Sequence, residues 1–150
     1  MEWTVSSHQS VIDVIAALIP HSEMKKYIFV MLGGALGAGS RFTVGTLVLK
    51  IYSAAFPLGT FLINVTGSFL IGVLMVLFLN RPAIDANWRL FLVTGILGGY
   101  TTFSTFEWET FTSLQGSASA VALLNLLLSV GLGLIGVWLG AALANRFWPQ

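Results

Sequence analysis

Between Gly98 and Glu109 the chain reads GGYTTFSTFEWE: paired glycines, then Thr101, Thr102, Ser104 and Thr105 interleaved with Phe103 and Phe106, then two glutamates. Glycine leaves helical dihedrals cheaply, and hydroxyls satisfy backbone groups that a broken helix sets free, so a break near Gly98–Thr102 is expected. Broken helices in lipid expose carbonyls and amide ends, the usual material of ion sites. Phe103 and Phe106 lie three apart and share a face if helix resumes. A phenyl ring is positive at its edge and negative at its face, so edge-on rings favour an anion without a charge that would trap it. In the plainer account the same two rings are core or lipid-facing, and Glu107 and Glu109 are interfacial residues at the approach to water.

Other polar residues stand where lipid is expected. Thr60, Asn64, Gly67 and Ser68 are spaced by threes and fours, which puts them on one helical face. The Asn64 amide needs partners that lipid cannot supply: another helix, or an anion facing its NH2 donors. Asn125 and Ser129 are four apart among leucines and form a short polar track, either helix glue or pore lining. Arg41 costs roughly 2.5–3.5 kcal/mol inside a span, so it needs water, an anion or a carboxylate. It can snorkel to an interface, pair with Glu107 or Glu109, or stand at a pore mouth and attract anions. Donors without acids in the spans that hold Arg41, Asn64 and Asn125 favour an anion pathway over a proton or cation pathway.

The elements that must carry these residues follow from hydropathy. Of 150 residues 56% are hydrophobic and only 9% charged, with mean hydropathy +0.87, where soluble domains are about a quarter charged. Four apolar segments are expected to span: Tyr27 to Leu49, Leu58 to Leu79, Leu90 to Phe111 and Ser119 to Ala144. Gly33 and Gly37, four apart in the first, offer a small-residue surface for close helix contact. The short connections leave no soluble catalytic domain. Net charge is +1, which gives nucleic acid nothing to bind. Cysteine is absent, which removes thiol chemistry, and His8 and His21 both precede the first span. Residues 1–26 read as a leader, interfacial or partly disordered, in which a short amphipathic helix would stop at Pro20, and residues 27–150 as the membrane domain.

Lys25, Lys26, Arg81, Arg89 and Arg146 flank the spans on the side shared by the termini, against Lys50 on the other. On this count the termini are cytoplasmic.

The runs GALGAGSRF (Gly34–Phe42), GTFLINVTGSF (Gly59–Phe69) and GGYTTFSTFEWE resemble the Fluc fluoride channels, the CrcB family of fluoride exporters. The resemblance covers roughly Tyr27 to Trp148, including segment count and motif order. It implies an all-α integral membrane protein with four transmembrane helices per subunit, the third broken near Gly98–Thr102, in an antiparallel dual-topology dimer in the plasma (inner) membrane. It also implies fluoride coordination by Asn64 and by the Phe103 and Phe106 ring edges, with Ser104, Thr105 and Thr60 as nearby hydroxyl donors. Asn125 and Ser129 continue the polar track, and Arg41 lies in the aqueous vestibule. A structural sodium ion is implied at the dimer centre, on backbone carbonyls of Gly98 and Thr101. Two features depart from the family pattern. The leader is longer than usual, and the five-to-one charge asymmetry sits badly with a subunit that inserts both ways, which raises an oppositely oriented homologue as an alternative partner to a second copy.

The activity implied is passive fluoride exit, with no ATP site and no covalent chemistry. A negative-inside potential of 100 mV favours exit of a monovalent anion by about 2.3 kcal/mol. The alternatives are a small four-helix proton-coupled multidrug exporter, an alternating-access anion transporter and a non-transporting scaffold. The first depends on a first-span glutamate, where this chain has Arg41. The second needs internal inverted repeats that the chain does not show. The third leaves the hydroxyls around Phe103 unexplained.

Overall fold

The computed structural model describes residues 23–149; most of the expected leader, residues 1–22, lies outside them. The described residues are helical throughout, joined by short turns. Helix α1 runs Met24–Ile51 and α2 Leu58–Asn80. A composite third traverse follows: α3 (Ala86–Arg89), a π-helix (Leu90–Leu97), α4 (Gly98–Tyr100) and, after a break, α5 (Phe103–Gln115). Helix α6 runs Ser119–Phe147. Three of these, α1, α2 and α6, are each long and apolar enough to cross a membrane unaided. The third traverse is divided by its break. Helix α1 opens three residues before the expected start of the first span, so Met24, Lys25 and Lys26 are helical.

What holds the bundle together is backbone proximity more than side-chain burial. Few large residues are buried in the chain, and long apolar side chains such as Leu36, Leu127 and Leu134 point outward. In lipid there is no hydrophobic drive between helices, so association relies on close packing and interhelical hydrogen bonds. Two glycine seams supply the packing. Gly33 and Gly37 of α1 face the third traverse, where a side chain at Gly95 would come within 2.8 Å of the Gly33 Cα and one at Gly99 within 2.6 Å of the Gly34 carbonyl oxygen. The second seam joins α2 to α6: side chains at Gly72 or Gly140 would run into the backbone of the opposite helix at Val137 and Phe69. Both seams exist because hydrogen is the only substituent that fits.

The break differs from expectation in one respect. Gly98 keeps helical dihedrals (φ −62°, ψ −37°), and the extended residues are Thr101 (φ −76°, ψ 159°) and Thr102 (φ −149°, ψ 121°). Those values are open to any residue, so glycine's freedom is not required there. Of the pair, Gly99 serves the seam with α1 instead. The π-helix ahead of them carries no sequence signature that hydropathy would reveal; such wider turns are rare and are frequent at functional sites.

Candidate functional site

Thr102 is where the local structure is decided. Its hydroxyl accepts from Thr105 N (3.3 Å) and so caps α5, and it donates to Thr105 Oγ1 at 3.0 Å. Threonine in extended backbone is a favoured N-cap because its oxygen meets an orphan amide of the first turn. The backbone of Thr102 is held from the neighbouring helix. Asn64 Nδ2 donates to Thr102 O at 3.0 Å, and Thr102 N donates to Asn64 Oδ1 at 2.9 Å. A broken backbone inside a membrane must have its polar groups met by protein. Asn64 meets two of them at once.

These capping bonds take the usual helical donors away from two carbonyls. In an unbroken helix Gly98 O would accept from the amide four residues on, Thr102 N, and Thr101 O from Thr105 N. Here Thr102 N goes to Asn64 and Thr105 N to the Thr102 hydroxyl. The Arg41 guanidinium reaches Thr101 O at a long 3.4 Å. Among the described residues Arg41 forms no ion pair with Glu107 or Glu109, so that expected pairing is not made.

Two cavities, each of about 330 Å³, meet at Thr102. One is lined by Asn64, Ser68, Phe103, Phe106 and Ser129, with Gly98 and Thr101 and the apolar Ile71, Val93 and Leu97. No acid faces it. The other is lined by Arg41, Thr60, Thr105 and Glu109, among mainly apolar residues of α1 and the turn before α2. There Thr60 Oγ1 donates to Glu109 Oε1 at 2.8 Å, while Oε2 is buried with no hydrogen-bond partner.

The residues singled out from sequence thus fall into two groups. Asn64, Phe103, Phe106 and Ser129 share the acid-free cavity, and Thr60, Thr105 and Arg41 the charged one. Phe103 and Phe106 are neighbours, with ring centroids 6.0 Å apart and planes inclined by 40°. They differ in burial, at 70% and 6% exposed. Asn125 and Ser104 line neither cavity. Asn125 is buried; its Nδ2 donates to Thr110 Oγ1 at 2.8 Å and its Oδ1 accepts from Ser129 Oγ at 3.1 Å. Ser104 lies exposed on the first turn of α5. The expectation that hydroxyls of this run satisfy freed backbone groups holds at Thr102, whose hydroxyl takes the Thr105 amide; its place as the N-cap of α5 was readable too, as a threonine ahead of a helix start. Sequence reasoning missed Thr110, for which no local pattern speaks.

Comparison with known proteins follows the same residues. Residues 28–141 match the family model described as CrcB-like protein, Camphor Resistance (CrcB). A relative from Solibacter usitatus named Fluoride-specific ion channel FluC is 46% identical over 121 residues, covering 81% of this chain and 99% of the relative. A relative of the same name from Acidobacterium capsulatum is 46% identical over 121 residues, covering 81% and 97%. Another, from Methylococcus capsulatus, is 47% identical over 117 residues, which is 78% of this chain and 51% of that longer protein. The matched stretch takes in all four traverses, the break and both of its cavities, and the chain is therefore a multi-pass membrane protein belonging to the CrcB family.

Proposed function

We propose that the chain is a fluoride-selective channel through which F− leaves the cytoplasm passively, protecting against fluoride toxicity. The observation that carries the reading is the acid-free cavity at the helix break, where the Asn64 amide and the Phe103 and Phe106 rings face one volume of about 330 Å³. Fluoride is small and tightly hydrated, so its path must replace water at each step without holding the ion. Neutral amide and hydroxyl donors with ring edges bind at several weak sites, which conduction requires. The name carried by the relatives, Fluoride-specific ion channel FluC, supports the same substrate. Ser129, Asn125, Ser104, Thr105 and Thr60 are proposed as further hydroxyl and amide groups along the path. Arg41 is proposed as the positive charge of its vestibule.

The working unit in this reading is an antiparallel dimer in the inner membrane. Two exposures support a second subunit: the Phe103 ring is 70% exposed in one subunit, and Glu107 is exposed on a membrane helix. The partner is proposed to be a second copy. The five-to-one charge asymmetry favours instead an oppositely oriented homologue, and the mass of the chain purified alone in detergent, dimer or monomer, decides between them. A structural sodium ion is proposed on the carbonyls of Gly98 and Thr101. Hard carbonyl oxygens that lose their helical donors to the capping of α5 suit that cation. The Arg41 guanidinium at Thr101 O competes for the same oxygen.

A liposome efflux assay tests the function. Fluoride exit that is rapid and limited by a counter-ion is the expected result; proton-coupled drug uptake, or no flux, overturns it.

A further inference from the structure

The charged residues of the described chain divide unevenly between the two ends of the bundle. One end holds Lys25, Lys26, Arg81, Arg89 and Arg146 with Glu23 and Asp85 as the acids, five cations against two anions. The other half holds Arg41 and Lys50 with Glu107 and Glu109, two against two. Chain direction forces this grouping: α1 begins, α2 ends, α3 begins and α6 ends on the same side. Among the described residues the ion pair at that end is Lys26 with Glu23, at 2.7 Å. Asp85 instead accepts from the amide of Asn87, at 2.7 Å, as the cap of α3.

These cations stand on two fixed corners. At one, Asn80 Nδ2 donates to Trp148 O at 2.6 Å and to Asn145 Oδ1 at 3.2 Å, tying the end of α2 to the end of α6. Arg81 and Arg146 each follow a residue of that clasp. At the other, Phe29, Trp88 and Phe91 pack edge to face, with centroids 5.8 to 6.2 Å apart, and join the start of α1 to α3. Arg89 lies beside Trp88, with Lys25 and Lys26 one turn before Phe29. Trp88 (51% exposed) and Phe147 (64% exposed) add aromatic anchors at the same level, the depth at which such rings sit in a bilayer interface.

We propose that this end binds anionic phospholipid headgroups at the Arg81–Arg146 and Arg89–Lys25 corners. Basic clusters next to membrane helices attract such lipids, each cation contributing about a fivefold bias. Here the clasps fix the helix ends that carry the cations before lipid arrives. The inference stands apart from the fluoride reading, because it concerns the opposite end from the charged cavity and is read without any flux.

The full-length protein, in nanodiscs of equal phosphatidylglycerol and phosphatidylcholine, is extracted in mild detergent and its retained lipid quantified by mass spectrometry. Phosphatidylglycerol is expected to be enriched at least about fivefold. That enrichment should collapse in the triple variant Arg81→Gln, Arg89→Gln, Arg146→Gln, persist when the same three become Lys, and persist in Lys50→Gln. Equal retention of both lipids by the unmodified protein overturns the proposal, as does a Lys50→Gln loss as large as that of the triple variant. The unmodified protein supplies a reading that does not depend on variants folding. Raising salt from about 0.1 to 1 M shortens the screening length from about 10 to 3 Å, so enrichment should fall, and a salt-independent enrichment also overturns it.

Discussion

The two cavities that meet at Thr102 are equal in size, about 330 Å³ each, and opposite in chemistry. One gathers Asn64, Ser129 and two phenyl rings without a formal charge. The other sets Arg41 across from Glu109. A charge in an aqueous approach concentrates ions of opposite sign, whereas a charge at the narrow part of a path binds too tightly to release. Segregating charge from neutral donors is therefore what a selective but fast path needs. The two cavities meet at Thr102, which lines both and whose backbone N and O are held by Asn64.

That comparison is most directly broken at the Asn64–Thr102 clamp. In Asn64→Ala, Thr102 N and O both lose their partner, and each buried unpaired group costs about 1–3 kcal/mol. Fluoride efflux should vanish and the melting temperature fall. Asn64→Asp retains an acceptor for Thr102 N but loses the donor to Thr102 O, so it should keep more of the fold while still losing efflux. Wild-type efflux from either variant would mean that the break is not held here.

Next come the rings. Phe103→Ile should cut efflux at least about tenfold with an unchanged melting temperature, since the ring is 70% exposed in the single chain. The buried Phe106 should behave differently, with Phe106→Ile lowering efflux together with stability by about 1 kcal/mol or more. Identical melting curves for the two would remove the distinction in burial on which the prediction rests.

A smaller effect is expected in the charged cavity. Thr60→Val keeps shape but deprives Glu109 Oε1 of its donor, beside an Oε2 that already lacks one. Chemical or thermal unfolding should register a loss of about 1–3 kcal/mol, while efflux persists at a reduced rate. Complete loss of efflux would equate this cavity with the neutral one. Least of all, Ser129→Ala removes a single neutral bond to Asn125, and a change of about 0.5–1.5 kcal/mol in stability, with efflux within about tenfold of normal, is expected. A larger drop would promote Ser129 from track to binding site.

The spans were legible because lipid imposes a length and a composition on any helix that crosses it. Expected and observed ends differ by at most three residues at α1, α2 and α6. The Gly33 and Gly37 pair was readable for a similar reason, since small residues four apart have few other uses in a span. The divided third traverse was half legible. Hydroxyls clustered after paired glycines marked a break, but glycine's reputation pointed to the wrong residues, and only the distance of closest approach to α1 shows what Gly95 and Gly99 are for. The π-helix over Leu90–Leu97 was not legible at all, because its apolar run reads equally well as ordinary α-helix.

The partners of the polar side chains were beyond any one-dimensional reading. Asn64 and Thr102 are 38 positions apart, and Thr60 and Glu109 are 49 apart. Spacing says which residues share a face of their own helix, not which residue of another helix that face meets. By itself the sequence determined a membrane helical bundle, the place where its third traverse would break, and a supply of uncharged donors beside aromatic rings. The tertiary structure alone decided that one asparagine would hold the break together, that the Thr60 hydroxyl would donate a hydrogen bond to a glutamate, and that charged and uncharged groups would occupy separate cavities. The physical reason is the absence of water. In lipid every polar group must find a protein partner, and which partner is nearest is fixed by helix packing rather than by order along the chain.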